Sequence, residues 1–278
     1  MVRNPERMPL ERRHLVALCL LMACQPAPPP ATTTPDAGDT FIAVGVPARQ
    51  VVVCMTGAID QTSGSNDGFS QLCDALQPLA TVVPECVDGK CWSSFATFTS
   101  AAPVGKLSDA TFQALDVTAD GKVDAADGAT TLTLLGFSWG GVTAADLSRA
   151  LSNDQRIDHT FLTLRLIALD AFQPSLPDVK AARAVDEAFS FRHSVAPSGD
   201  CSSFAPLGPY LGLRLRCAAG QRCFDFDFSA APGERFNGRR GNEVGHCDVA
   251  DAAAGYVTSL VTTGKLVAPL PPSVTVLR

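Results

Sequence analysis

Short apolar segments alternate with helix-forming segments along residues 41–278, and this pattern constrains the fold more than any other feature of the sequence. The predicted strands are 41–45, 51–55, 80–83, 131–136, 164–169 and 188–193, and the predicted helices are 71–79, 142–151 and 249–261. Strands that alternate with helices are typical of a parallel sheet with helices packed on both faces. The sequence therefore predicts an α/β fold with a mostly parallel sheet.

Cysteines are frequent in this chain, which has 10 of them in 278 residues. This frequency indicates an oxidising compartment and a domain stabilised by disulfides. Two pairs are close enough in sequence to be predicted as bridges, Cys86 with Cys91 and Cys217 with Cys223. Segments 211–217 and 223–228, which flank the second pair, alternate apolar and polar residues at period two. This alternation predicts a hairpin, and its register stays open.

The N-terminus predicts an export signal and a lipid anchor. Arginines precede a short apolar stretch at 15–23, which is shorter than the roughly 20 residues of a membrane-spanning helix. The stretch ends in LMAC, with Cys24 last, and it resembles the lipobox of bacterial lipoproteins. The resemblance implies removal of residues 1–23 and acylation of Cys24.

Residues 24–40 are rich in proline and threonine, which is typical of an extended tether rather than of a packed core. The predicted organisation is therefore a signal peptide, a lipidated tether and a folded domain at 41–278. Such a protein would lie on the extracytoplasmic side of a bacterial membrane, on its periplasmic or cell-surface face. The net charge of −6 argues against a nucleic-acid partner, because phosphate binding needs a basic surface.

The sequence GFSWG at 136–140 has the pattern Gly-x-Ser-x-Gly and lies between an apolar strand and a helical segment. In this context the serine occupies a tight, strained turn, and the glycines leave room for it. Its hydroxyl then projects above the sheet at the start of the helix. The motif resembles the nucleophile elbow of the α/β-hydrolase family of lipases and esterases, and the resemblance implies that Ser138 is a nucleophile.

A nucleophilic serine needs a base, and the family's order of serine, acid and histidine selects His246. This histidine lies in a polar loop just before the last predicted helix, whereas His193, the weaker alternative, lies in a strand-like segment. The favoured acid is Asp170, which directly follows the predicted strand 164–169. Asp200 is the alternative acid, because most relatives carry the acid after the next strand.

The resemblance also implies an oxyanion hole made by the backbone N–H groups of Ala58 and Trp139. The implied reaction is hydrolysis of a carboxylic ester, in a small molecule or a lipid, through an acyl-enzyme and without a catalytic cofactor. Two alternatives stay open: a hydrolase-like binding module without activity, and a peptidase or thioesterase on the same scaffold.

Residues 116–127 have the spacing of an EF-hand loop and resemble the calcium loops of EF-hand and dockerin modules. Glycine occupies position 6, and positions 1, 3, 5, 7 and 12 are Asp116, Thr118, Asp120, Lys122 and Asp127. The resemblance implies a structural Ca²⁺ bound by four side chains and the carbonyl of Lys122. Threonine at position 3 and aspartate at position 12 depart from the EF-hand pattern and are expected to weaken binding.

Overall fold

The computed structural model describes residues 49–57, 68–84, 86–87, 90–91, 102–173, 176–194, 212–228, 246–266 and 275–277. All of these residues belong to one compact unit, Phe41–Arg278. The predicted signal peptide, the tether and the predicted strand at 41–45 lie outside the described residues. None of the helices in the described ranges has the length and apolar character needed to cross a membrane.

The strands and helices follow one another in the order that the sequence pattern predicts for an α/β fold. The strands are β1 (Arg49–Met55), β2 (Thr81–Pro84), β3 (Cys86–Val87), β4 (Lys90–Cys91), β5 (Thr130–Phe137), β6 (Leu162–Leu169), β7 (Asp178–Lys180), β8 (Glu187–Arg192), β9 (Arg214–Arg216), β10 (Arg222–Asp227) and β11 (Thr275–Leu277). The helices are α1 (Gly68–Leu76), α2 (Ala102–Leu115), α3 (Trp139–Ser152) and α4 (Val249–Thr263). Short 3₁₀ turns occupy Ala125–Asp127 and His246–Asp248.

Seven strands form the main sheet, in the order β11-β10-β8-β6-β5-β1-β2. Every neighbouring pair is parallel except β10 and β11, which are antiparallel. In a parallel sheet the carboxyl ends of the strands meet at one edge, where loops build a site. β5, β6 and β8 are consecutive neighbours in this sheet, so the residues that follow them lie side by side.

Alternation along the buried strands divides the core into two layers. On β1, Val51, Val53 and Met55 pack into the layer that contains α2 and α3. The side chains between them, Val52 and Cys54, pack into the layer that contains α1 and α4. The prediction of an α/β fold with a mostly parallel sheet and helices on both faces is thereby confirmed.

Buried charges join the three strands β6, β8 and β10 at the end opposite to the carboxyl edge. Glu187 accepts hydrogen bonds from Nε and Nη2 of Arg165 at 2.8 and 2.7 Å. Its second carboxylate oxygen lies 2.6 Å from Nη1 of Arg222. Arg165 and Glu187 are almost fully buried, so loss of one partner would leave an unpaired charge in the core. These pairs therefore favour the observed strand order.

The predicted hairpin at 211–228 is wrong. β9 pairs with β7 in a separate two-stranded sheet, whereas β10 lies between β8 and β11 in the main sheet. The period-two pattern correctly indicated strands, but alternation reports which side chains share a face and not which strand is the neighbour.

Two disulfides are present among the described residues. Cys217 and Cys223 are bonded as predicted, and the bond joins the residue after β9 to the second residue of β10. The second bond joins Cys54 on β1 to Cys73 on α1, a pairing that sequence spacing did not indicate. Cys86 and Cys91 lie opposite each other on the antiparallel strands β3 and β4. The structure does not describe their side chains, so the bridge between Cys86 and Cys91 stays a prediction.

Candidate active site

A tight turn at Ser138 connects β5 to α3. Ser138 has φ 55° and ψ −125°, a conformation that L-residues rarely adopt. A Cβ atom on Gly136 would lie 2.2 Å from the carbonyl oxygen of Gly140, and one on Gly140 would lie 2.0 Å from that of Met55. Since both contacts are with backbone atoms, a larger residue at either position would displace the turn. The spacing of the motif is therefore a packing requirement of this turn.

His246 begins the 3₁₀ turn that leads into α4. Its Nε2 atom lies 2.8 Å from Oγ of Ser138, and its Nδ1 atom lies 2.5 Å from Oδ2 of Asp170. The imidazole is buried and stacks on Phe137 at 5.0 Å between ring centroids, with Phe172 edge-on at 6.3 Å. The aromatic contacts and the two hydrogen bonds together fix the orientation of the ring.

Asp170 directly follows β6 and is completely buried. Besides the contact with His246, its Oδ1 atom accepts a hydrogen bond from the backbone N–H of His193 at 2.9 Å. Burial raises the pKa of Asp170, but the charge of His193 and the hydrogen bonds from both histidines outweigh burial and lower the pKa to about 2. The carboxylate is therefore ionised at neutral pH and acts only as an acceptor.

Both Nδ1 atoms that face this carboxylate must carry a hydrogen, because an ionised carboxylate donates nothing. With Nδ1 of His246 protonated, Nε2 of the neutral ring is the acceptor for the hydroxyl of Ser138. This tautomer is the one that a general base next to a serine requires.

Backbone hydrogen bonds continue beyond the strand ends and hold these residues side by side. The N–H of Ser138 donates to the carbonyl of Leu169 at 2.9 Å, and the N–H of Asp170 donates to that of Phe191 at 2.7 Å. The N–H of Phe172 returns to the carbonyl of Ser138 at 3.0 Å. The turn that carries Ser138 and the residues around Asp170 are thus linked to each other through the backbone.

His193 directly follows β8, and its Nδ1 atom lies 2.7 Å from Oδ2 of Asp170. The sequence offers His193 as a weaker alternative base, but its ring contacts Asp170, whereas the ring that reaches Ser138 belongs to His246. The sequence did contain a signal for this contact, because His193 and Asp170 both follow strands whose carboxyl ends lie at the same edge of the sheet. Only the order of strands shows that the two ends are adjacent.

Asp170, His193 and His246 form the one cluster of three ligand-type side chains found within the described residues. The 2.5 Å contact of His246 with Asp170 is a direct hydrogen bond, and the 2.7 Å contact of His193 has the length of one. Ligand atoms around a tetrahedral zinc ion lie about 3.3 Å apart, as follows from zinc–ligand bonds of about 2.0 Å. The arrangement therefore suits shared protons and not a metal ion.

Gly57, in the loop after β1, lies directly against Ser138. A Cβ atom on Gly57 would lie 2.7 Å from Cβ and 3.2 Å from Oγ of Ser138, so only glycine fits there. Trp139 begins α3 and is nearly buried, and its N–H is at a helix N-terminus, where anions are favoured. Ala58, the other predicted oxyanion donor, lies outside the described residues, as do Asp200 and Cys24.

The predicted calcium loop lies between α2 and β5, and its acidic side chains accept hydrogen bonds within the loop. Asp116 accepts from the N–H groups of Asp120 and Gly121 at 3.2 and 2.9 Å. Oδ1 of Asp127 accepts from the N–H groups of Val117 and Thr118 at 2.7 and 3.0 Å. Burial raises the pKa of Asp127, but backbone hydrogen bonds, first that of Thr118, outweigh it and lower the pKa.

Some of the predicted ligand oxygens are adjacent. The hydroxyl of Thr118 lies 3.5 Å from Oδ1 of Asp116 and 3.3 Å from Oδ1 of Asp127. Asp120 instead accepts from the N–H of Lys122 at 3.0 Å. Carboxylate, hydroxyl and carbonyl oxygens are the ligands that Ca²⁺ prefers, so the residues present fit this ion. Calcium binding stays a prediction.

Comparisons with known proteins give structural neighbours only. No protein-family model matches the sequence, and no curated protein matches it. The structure is similar to a cutinase-like protein from Cryptococcus sp., at 14% identity over 64% of this chain and 80% of that one, with a TM-score of 0.31.

Two further neighbours are similar at comparable levels. A hydrolase of the alpha/beta superfamily from Xanthomonas campestris, itself described as putative, is 16% identical over 63% of this chain and 87% of that one, with a TM-score of 0.27. An acetyl xylan esterase is 12% identical over 79% of this chain and 99% of that one, with a TM-score of 0.34. Since these identities and TM-scores are low, the activity has to be inferred from the side chains of this chain alone.

Proposed function

We propose that this chain is a serine hydrolase that cleaves carboxylic esters. The observation that carries the proposal is the continuous set of hydrogen bonds from Oγ of Ser138 through the ring of His246 to the carboxylate of Asp170. A serine hydroxyl is a weak nucleophile unless an adjacent base takes its proton, and this base is in turn oriented by an acid. The strained backbone of Ser138 is a further feature typical of nucleophiles in this position.

The proposed reaction proceeds in two steps. Oγ of Ser138 attacks the ester carbonyl while its proton passes to Nε2 of His246, and the protonated ring then donates that proton to the leaving alcohol. A water molecule attacks the acyl-enzyme with His246 again as base, and the carboxylic acid is released. Asp170 stabilises the charged ring, and the N–H groups of Trp139 and Ala58 are the proposed donors to the developing oxyanion.

The test is active-site labelling of the folded domain with a fluorophosphonate, with the modified residue mapped by mass spectrometry. We expect an adduct on Ser138 and no adduct in Ser138→Ala. Ser148→Ala is the matched control, because Ser148 is a buried serine on α3, the helix that follows Ser138, and its hydroxyl donates to the carbonyl of Ala145. An unlabelled but folded protein would overturn the proposal and favour the binding-module alternative.

Rates with matched ester, amide and thioester substrates separate the reaction classes. We expect the ester to be cleaved faster than the amide, because an alcohol leaves more readily than an amine from the intermediate formed by serine attack. Preferential cleavage of the amide or the thioester would replace the esterase by a peptidase or a thioesterase. A series of acyl chains would then show whether the substrate is a lipid or a small ester.

We also propose that Cys24 anchors the domain to the extracytoplasmic face of a bacterial membrane. The support comes from the sequence, in which a short apolar stretch ends in LMAC and is followed by the tether. Metabolic labelling with an alkyne fatty acid should mark the wild-type chain and not Cys24→Ser. Labelling that persists in this variant would contradict the anchor.

We propose, finally, that the loop 116–127 binds a structural Ca²⁺ through side-chain oxygens of Asp116, Thr118, Asp120 and Asp127 and the carbonyl of Lys122. The adjacent oxygens of Asp116, Thr118 and Asp127 support this proposal. The ion would neutralise the acidic loop next to β5 and would take no part in the ester chemistry.

A further inference from the structure

His193 is attached to the acid of the site at two points. Its ring Nδ1 lies 2.7 Å from Oδ2 of Asp170, and its backbone N–H donates to Oδ1 at 2.9 Å. Both side chains are completely buried. Because the two contacts engage different oxygens of one carboxylate, they fix the plane of the carboxylate as well as its position.

The carboxylate oxygen that contacts the His193 ring is the same one that accepts from His246. Oδ2 of Asp170 lies 2.5 Å from Nδ1 of His246 and 2.7 Å from Nδ1 of His193. The two rings are 6.3 Å apart between centroids and are tilted by 53°. His193 therefore touches the acid and acts on His246 through it. We propose that His193 is a positioning residue that holds Asp170 in place and limits how strongly this carboxylate attracts a proton onto His246.

The segment that contains Gly212 and Leu213 packs against Asp170. The N–H of Gly212 donates to the carbonyl of His193 at 2.9 Å, and the N–H of Leu213 donates to that of Ala171 at 2.7 Å. A Cβ atom on Gly212 would lie 2.2 Å from Oδ1 of Asp170. The backbone around residue 212 thus packs directly on the carboxylate, and among the described residues the two histidine rings are the side chains that approach its oxygens within 2.7 Å.

Other charged groups near this cluster are paired among themselves. Arg192, which precedes His193, donates to both carboxylate oxygens of Asp225 at 3.1 and 3.0 Å, and its Nη2 lies 3.8 Å from Asp227. The remaining titratable groups of the described elements packed around the cluster are Asp248, Asp251 and Tyr256, on the 3₁₀ turn and α4 that follow His246. Among the described residues, the titratable side chains in contact with Asp170 are therefore the two histidines.

Removal of the His193 ring should shift the pH profile in a direction that follows from the two rings sharing Oδ2 of Asp170. With one donor fewer on Oδ2, the carboxylate holds the proton on Nδ1 of His246 more strongly and stabilises the charged form of that ring more. The acid limb of the pH profile of kcat/KM reports the loss of neutral base in the free enzyme. We expect His193→Phe to move this limb to higher pH by roughly one unit.

The variant should also lower kcat by roughly tenfold with little change in KM, because a displaced acid weakens an interaction made in the transition state. His193→Asn keeps an N–H donor near the position of Nδ1, and it should recover most of the lost kcat. His159→Phe is the matched control, since it removes a histidine from the turn between α3 and β6. We expect no shift of the limb in this control.

The experiment rests on the proposed function, and one measurement on the unmodified protein separates the two. In ¹⁵N NMR of the wild-type domain, or of the inactive Ser138→Ala, Nδ1 of both His193 and His246 should carry a proton at neutral pH. An unprotonated Nδ1 on His193 would overturn the inference even if ester cleavage is confirmed. Protonated nitrogens in a protein without fluorophosphonate labelling would instead count against the proposed function alone.

The kinetic data can overturn the inference independently. A folded His193→Phe whose acid limb coincides with that of the wild type would exclude the proposed influence on His246. A fall in kcat that His193→Asn does not reverse, together with a lower melting temperature in both variants, would assign His193 to core packing. If His193→Phe does not fold, the nitrogen protonation states and His193→Asn decide.

Discussion

Replacement of Asp170 by asparagine removes one charge and leaves the shape of the side chain nearly unchanged. Three nitrogens lie at hydrogen-bond distance from the carboxylate, the two ring Nδ1 atoms at Oδ2 and the backbone nitrogen of His193 at Oδ1. An amide has one acceptor oxygen and one NH₂ donor group, so at one of the two positions the NH₂ group must point at an N–H donor. The backbone N–H of His193 cannot be turned, whereas each imidazole can move its proton to the other nitrogen.

The amide oxygen is therefore expected at the position of Oδ1, with the NH₂ group towards the two rings. His246 then adopts the tautomer with the proton on Nε2, and this nitrogen can no longer accept the proton of Ser138. A wrong tautomer of this kind lowers kcat by about 10⁴ in a serine protease with the same arrangement. At about 1.4 kcal/mol per decade, the loss of transition-state stabilisation is about 5.5 kcal/mol.

The assay is hydrolysis of a chromogenic ester by the wild type and by Asp170→Asn, with the rate of fluorophosphonate labelling as a second measure of the nucleophile. Asp200→Asn is the control, because Asp200 is the other acid that the chain order allows. We expect a large fall in kcat in the first variant and none in the second. A loss below about tenfold in Asp170→Asn, or an equal loss in Asp200→Asn, would refute the assignment of the acid.

Three further predictions concern the glycine beside the nucleophile, acid stability and calcium. Gly57→Ala would bring a methyl group within 2.7 Å of Cβ of Ser138 and should lower kcat by about a hundredfold. Gly105→Ala, which meets nothing within 4 Å, should leave activity unchanged, and equal rates in both variants would count against the close contact. The pKa of Asp170 is lowered from 3.8 to about 2, so its contribution of about 2 kcal/mol is present above pH 4 and is lost as the pH falls towards 2. Urea unfolding of wild type and Asp170→Asn should show this difference in slope, and parallel curves would exclude it. EGTA should lower the melting temperature and Ca²⁺ should restore it through the loop 116–127, whereas an unchanged melting temperature would remove calcium from that loop.

The buried strands and most of the helices could be predicted because their apolar patterns are long and regular. The strands β1, β5, β6 and β8 lie within one or two residues of the predicted segments. Helix α2 was not predicted, although its buried side chains Leu107, Thr111 and Leu115 have helical spacing. Its first turn contains a proline and a glycine, and polar residues separate the apolar ones, so the pattern was weak without the neighbouring helix α3.

The contact between Asp170 and His193 could not be predicted from the residues, because it depends on which strands are neighbours. The two residues are separated by 23 positions and become adjacent only because β8 pairs with β6. The hairpin prediction failed for the same reason. The alternating pattern of β10 is compatible with β8 as its neighbour just as well as with β9. Buried charges such as Arg165 and Glu187 add information on the neighbour that an apolar pattern lacks.

Backbone strain marks the two places where the fold turns side chains into the site. Ser138 and Asp170 have φ values of 55° and 44°, and each such residue costs about 1–3 kcal/mol. Both directly follow strands that are neighbours, β5 and β6, and each donates its N–H to the next strand end. A residue in extended conformation at either place would continue the strand and direct its side chain into one of the two core layers. The positive φ ends the strand and directs the side chain along the edge of the sheet. There the ring of His246 bonds to both Ser138 and Asp170. Hydrogen bonds hold this strained arrangement, and they orient the ring of His246, the carboxylate of Asp170 and the hydroxyl of Ser138 as the proposed reaction requires.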